Sequence, residues 1–170
     1  MLNNHDVTLG IDPGTARLGY GAIRGDDEPG LVEFGVFTTH STDQMASRLF
    51  QLHCQLSELL TRCRPAALAV EQLFFARNVT NALSVGQARG VVLLAAAQHG
   101  VPVFEYKPNE VKLAVGGYGG ADKKQMQEMV RINLGLSTVP EPDDAADALA
   151  VALCHVYSSR LGRLADLHEQ

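Results

Sequence analysis

The stretch VPEPDDAADALAVALCH, Val139 to His155, constrains this chain more than any other. Pro140 and Pro142 cannot continue a preceding helix, and Asp143 or Asp144 suits the N-cap of a new one. Beyond Asp147 the run is almost free of charge, and a helix that is apolar on most sides is buried. Asp144 and Asp147 stand three residues apart, so they lean to one face, one turn from each other. Two acids at the mouth of a buried helix need partners if both are ionised. Part of the answer is local, because acids in a first helical turn complement the helix dipole. That suits Asp143 better than Asp147, which lies a turn further in. For Asp147 a divalent cation is the sharper explanation, and it would draw further oxygen ligands from elsewhere in the chain.

The rest of the chain supplies a sheet for that helix to pack on. Val7 to Ile11 reads as a strand running into Asp12-Pro13-Gly14-Thr15, Gly19 to Arg24 as a second and Leu31 to Phe37 as a third. Their short connections favour antiparallel hairpins. The period then changes: Met45, Leu49, Leu52, Leu56 and Leu59 describe an amphipathic helix that ends near Pro65. Ala66 to Val70 is a short apolar strand that leads into Glu71. Thr80 to Gln98 is a long Ala/Val/Leu helix closed by Gly100, suited to a dimer face or to the core. Val101 to Tyr106 is a fifth strand. A short helix capped by Asn109 runs through Val115, and Gly116 to Gly120 form a flexible loop. Asp122 to Leu134 is a helix with Met126, Met129 and Val130 on one side. The expected fold is α/β: a mixed five-stranded sheet, three antiparallel hairpin strands plus two parallel ones, flanked by helices. One domain over 1–170 is expected, with loose polar ends at about 1–5 and 161–170.

Bulk properties narrow the function classes. The first residues carry no basic and apolar leader, and no apolar run reaches membrane-spanning length. The three cysteines form no CxxC pair and suit reduced thiols in a cytoplasmic protein. A net charge of −5 argues mildly against a nucleic-acid binder, but the charge is unevenly spread. Between Gln72 and Arg131 there are seven basic residues (Arg77, Arg89, Lys107, Lys112, Lys123, Lys124, Arg131) against four acids. Lys112 and Lys123 flank the glycine loop, where they could reach phosphates or simply form a solvated face.

Asp12 and Glu71 both end strands, and ligands of α/β sheets gather at the carboxyl ends of strands. Each also has a local reading: Asp12 as the opening of an Asp-Pro-Gly turn, Glu71 as a solvated strand-end acid. If the two strands are neighbours and the acid-headed helix packs on them, Asp12, Glu71, Asp144 and Asp147 converge. Such a group would repel itself strongly unless hard cations neutralised it. Two Mg²⁺ ions about 4 Å apart can activate a water and stabilise the leaving oxygen of a phosphodiester. Phe74 and Phe75 follow Glu71 and suit either core packing or contact with bases.

LGIDPGTARLGYGAI, AVEQLFFARN, ALSVGQARGV, VPVFEYKPNEVK and DDAADALAVALCH together resemble the RuvC family of bacterial Holliday-junction resolvases. The resemblance runs from about Leu9 to His155 and implies an RNase H-like fold. It also implies a homodimer and use of Mg²⁺ or Mn²⁺, with two ions per subunit during catalysis. The implied activity is paired nicking of opposing strands of four-way junction DNA, leaving 5′-phosphate and 3′-hydroxyl ends. Carried over motif by motif, it makes Asp12, Glu71, Asp144 and Asp147 the catalytic, metal-binding acids. Phe74 becomes the aromatic that meets junction bases, and Lys112 and Lys123 become DNA contacts. Arg77 joins them as a basic neighbour of Phe74. The resemblance further implies a RuvA–RuvB branch-migration complex as partner. Unlike well-known relatives, this chain is acidic overall. Two other classes fit single features: an actin-like nucleotide-binding protein, through the Asp12-Pro13-Gly14-Thr15 turn, and a junction-binding module without catalysis.

Overall fold

Alternation along the strands sorts the molecule into two faces. In a computed structural model, which describes residues 6–25, 27–72 and 79–168, five strands form one sheet in the order β3-β2-β1-β4-β5. β1 (Val7–Asp12), β2 (Arg17–Arg24) and β3 (Gly30–Thr38) are antiparallel neighbours. β4 (Ala67–Glu71) lies parallel to β1, and β5 (Val103–Tyr106) parallel to β4. This is the expected mixed sheet. Leu9 and Ile11 of β1, Leu18 and Ala22 of β2, and Leu68 and Val70 of β4 are fully buried on one face. They pack in one cluster with Leu52, Leu56 and Leu59 of α1 (Met45–Cys63) and Val92, Ala95 and Ala96 of α2 (Val79–Gln98). The period of two in the strands meets the period of 3.6 in the helices. α1 ends with Arg64 in the left-handed region (φ 45°), just before Pro65.

The other face carries the acid-headed helix, α5 (Asp143–His168). Leu149, Val151, Leu153 and Cys154 are buried there with Ile23 of β2 and Ala69 of β4. α3 (Pro108–Gly116) and α4 (Lys123–Asn133) close over it through Val111, Val115, Met126 and Val130. α5 lies unusually close to the sheet. A Cβ on Gly10 would fall 2.0 Å from the Ala148 carbonyl oxygen, and one on Gly19 2.0 Å from that of Asp144. Only hydrogen fits at these two strand positions, and glycine inside a strand marks such an approach of another backbone.

Several boundaries differ from expectation. α5 begins at Asp143, and the amides of Ala145 and Ala146 donate to the Pro142 carbonyl. Asp143 and Asp144 therefore lie inside the first turn, because Pro142 already supplies the acceptor that opens the helix. α3 begins at Pro108 with Lys107, not Asn109, at its N-cap: proline suits the first helical position, and the Lys107 amide donates to Glu110 at 2.6 Å. α4 is capped by Asp122, which accepts from the Gln125 amide at 2.9 Å. α5 continues past Arg160 to His168, where a loose tail is expected from polarity. Residues 1–5 lie outside the described residues. Among the described residues no helix is long and apolar enough to cross a membrane.

Candidate active site

Strand parity aims two of the predicted acids at α5. Asp12 and Gly10 point to the same side of β1, as Glu71 and Ala69 do on β4. β1 and β4 pair in parallel through Ile11 and Val70, so Asp12 and Glu71 end adjacent strands. Asp12 stands opposite Gly19 in the antiparallel register, and Gly19 is where the backbone of Asp144 presses on the sheet. The glycine seam thus lowers the acidic end of α5 onto the carboxyl end of β1.

Asp12, Glu71 and Asp147 line one cleft of about 240 Å³, together with Lys112, Lys123 and Gln127. Its apolar walls include Val111, Met126, Val130 and Val151. Burial pushes the Asp12 carboxyl up to about 7, and the negative charges of Asp147, Asp144 and Glu71 add to it against Lys123. Burial also raises Glu71, with Asp147 adding to the effect and Lys112 opposing it. Asp147 is raised by burial too, opposed by Lys123, whose Nζ lies 3.4 Å from Oδ2. The three acids press on one another, and only two lysines share their cleft.

Asp144 is turned differently. Its Oδ2 meets Nε of Arg17 at 2.6 Å, and it lines a neighbouring open recess with Arg17, Lys123, Glu141, Pro142 and Asp143. Asp143 points to α4, accepting from Gln127 Nε2 at 2.8 Å and pairing with Lys123 at 2.9 Å. The Lys123 hydrogen bond holds its carboxyl below the usual range. The expected convergence is therefore complete for three acids, with the fourth beside them and felt by Asp12. Among the described residues no group of three or more His, Cys, Asp or Glu side chains stands ready to hold a metal ion. The donor set nevertheless fits a hard divalent cation: carboxylate oxygens on two strand ends and a helix, one of them pushed up to about 7 by burial and then by its acidic neighbours.

Around the acids, the turn after Asp12 is braced on both sides. Thr39 Oγ1 donates to the Thr15 carbonyl at 2.6 Å, and Arg48 Nε donates to Thr39 Oγ1 at 2.8 Å. The Thr15 hydroxyl bonds that of Ser84 on α2. Tyr106 stands opposite Glu71 in the β4–β5 register and bonds Nδ1 of the buried His155 at 2.7 Å, tying α5 to β5. Of the predicted basic residues, Arg89 pairs with Glu105 and Arg131 with Glu128. Phe74, Phe75 and Arg77 lie outside the described residues. The contacts of Arg17 and Gln127 were not expected from the sequence. For Arg17 a signal existed, since it opens β2 five residues past Asp12.

Residues 8–155 match the family model of crossover junction endodeoxyribonuclease RuvC. A crossover junction endodeoxyribonuclease RuvC of Roseiflexus sp. (strain RS-1) is 57% identical over 157 residues, covering 92% of this chain and 94% of that protein. One of Chloroflexus aggregans is 59% identical over 152 residues, covering 89% and 93%. Among solved structures, T. thermophilus RuvC in complex with a Holliday junction substrate aligns with a TM-score of 0.89 at 42% identity, over 93% of this chain and 97% of that one. The yeast mitochondrial Holliday junction resolvase Ydc2 shares the fold at 14% identity, with a TM-score of 0.70 over 99% and 87%.

Proposed function

The chain belongs to the RuvC family of crossover junction endodeoxyribonucleases, and from that premise we propose that it resolves four-way DNA junctions by phosphodiester hydrolysis at the Asp12–Glu71–Asp147 cleft. The observation that carries the reading is the meeting of Asp12, Glu71 and Asp147, from two strand ends and a helix, in one cleft. A site built only for stability has no reason to gather like charges. Asp12, Glu71 and Asp147 are the ligands for a divalent cation, Mg²⁺ or Mn²⁺, and Asp144 completes the set. Bound there, two such ions per subunit would supply an activated water and charge stabilisation for the departing 3′ oxygen. Lys112 and Lys123, which line the cleft, draw the scissile phosphate in and offset its charge. Phe74 and Arg77 follow Glu71 directly in sequence, where an aromatic and a cation can meet the branch-point bases and backbone.

A junction with approximate two-fold symmetry calls for two sites related in the same way. α2 supports a homodimer: Ala88, Val92 and Ala95 are buried, while Leu83 and Leu94, three turns apart on one side, stay exposed. The RuvA–RuvB complex, as partner, and the cytoplasm, as location, complete the reading. The test is a synthetic four-way junction with Mg²⁺ beside a linear duplex of the same sequence. Paired nicks at symmetric positions are expected on the junction only, and Asp147→Asn should abolish them while keeping junction binding. Equal cutting of both substrates, or an active Asp147→Asn, refutes the proposal.

A further inference from the structure

Two cations stand on the catalytic acids, and they stand differently. Lys123 lines the cleft as well as the recess beside it, and lies 3.4 Å from Asp147. Arg17 is outside the cleft, on the recess next door, and its partner Asp144 is the one predicted ligand missing from the cleft lining. The backbone of Asp144 is not what keeps it out: Gly19 lets that backbone lie against the sheet, opposite Asp12. The side chain is turned to Arg17, at 2.6 Å. The pair is accessible, with 49% of the Arg17 and 29% of the Asp144 side-chain surface exposed. An ion pair of that kind is weak and can be exchanged. The recess is open, about 710 Å³, and a guanidinium at its wall offers a planar fork suited to a phosphate.

We propose that Arg17 is a latch on Asp144: without DNA it holds this carboxylate out of the cleft, and a backbone phosphate entering the recess takes the guanidinium over and releases Asp144 to the cation site. Arg17 is then a positioning residue that makes assembly of the metal site depend on substrate. The inference rests on the proposed reading of Asp144 as a ligand.

The experiment measures Mn²⁺ affinity of the DNA-free protein by electron paramagnetic resonance, for wild type, Arg17→Gln, Asp144→Asn and the double variant. It is repeated with junction DNA carrying non-hydrolysable linkages at the cleavage sites. Without DNA, Arg17→Gln should tighten Mn²⁺ binding about three- to fivefold, the scale of one exposed ion pair. In the Asp144→Asn background the same substitution should do nothing. With junction DNA bound, wild type and Arg17→Gln should bind Mn²⁺ alike. Unchanged or weaker Mn²⁺ binding in DNA-free Arg17→Gln overturns the latch. So does a gain that persists in the double variant, since that is only the field of a lost charge. If Asp144→Asn itself leaves Mn²⁺ affinity unchanged, both with DNA and without it, the ligand assignment falls instead, and the latch with it.

Discussion

Replacing Asp12 by asparagine should stabilise the metal-free protein while ending its activity, and the stabilisation should grow with pH. The folded protein keeps a proton on Asp12 up to about pH 7, whereas the unfolded chain releases it near 3.8. Between those values folding takes up a proton, so stability contributed by this group falls as pH rises through the window and is fully lost above it. The difference is about three pKa units at about 1.4 kcal/mol each, a ceiling of about 4 kcal/mol. Sharing of charge among neighbouring acids and local relaxation reduce this, and about 2 kcal/mol is the working figure. For a chain of this length that corresponds to about 4–8 °C in Tm.

The assay is thermal unfolding of wild type and Asp12→Asn in chelator at pH 5, 6, 7 and 8. The Tm advantage of Asp12→Asn should widen from pH 5 to pH 8. Titrating groups common to both proteins cancel in the difference. Millimolar Mg²⁺ at pH 8 should then raise the wild-type Tm and leave Asp12→Asn nearly unmoved, since ligand that binds only the folded state stabilises it. A gap that stays flat or closes between pH 5 and pH 8 would show that neither burial nor the neighbouring acids raise the Asp12 carboxyl, and the electrostatic case for a cation site would go with it.

Gly10→Ala should destabilise by about 3 kcal/mol or more, because its Cβ would meet the Ala148 carbonyl oxygen at 2.0 Å and the helix must lift; urea unfolding measures it. Gly19→Ala places the same conflict against Asp144, so residual folded protein should cut junctions at least tenfold more slowly, read under single-turnover conditions. Lys112→Gln should weaken junction binding and reduce the slope of log affinity against log salt by about one, checked by titration at several ionic strengths. Phe74→Ala should slow cutting more than it weakens binding, and an unchanged rate would return Phe74 to a packing role.

Much of the sheet was legible because its signals are local. The turn at Asp12-Pro13-Gly14, the period-two strands and the 4-3-4-3 spacing of Met45 and the leucines of α1 each report the backbone they need. The acids were legible because charge at strand ends and at the head of an apolar helix demands an explanation. Contacts decided by the packing of distant elements were harder to read. Nothing in the periodicity of α5 says which face of the sheet it takes, or how near it comes. That information lies in Gly10, Gly19 and Gly21, interior strand glycines that could have been read as a landing strip for another backbone. Nor does spacing reveal side-chain pairing between exposed ions, such as Arg17 with Asp144 or Lys123 with Asp143 and Asp147.

These two gaps have a common consequence for how the site works. The glycine seam sets the α5 backbone against the strand ends, so Asp12 and Asp147 share one cleft. The cost of that closeness appears in the Asp12 carboxyl, which burial and then its acidic neighbours push up to about 7. Exposed ion pairs around the rim are worth little each and rearrange easily. Rigid placement of backbone with labile placement of charge lets the acids stay together in the absence of metal. It also leaves the final neutralisation to whatever arrives: a divalent cation in the cleft, and phosphate oxygens on the lysines and Arg17 beside it. An acidic protein can then handle a polyanion, because its excess negative charge at the site is what recruits the cations that the substrate requires.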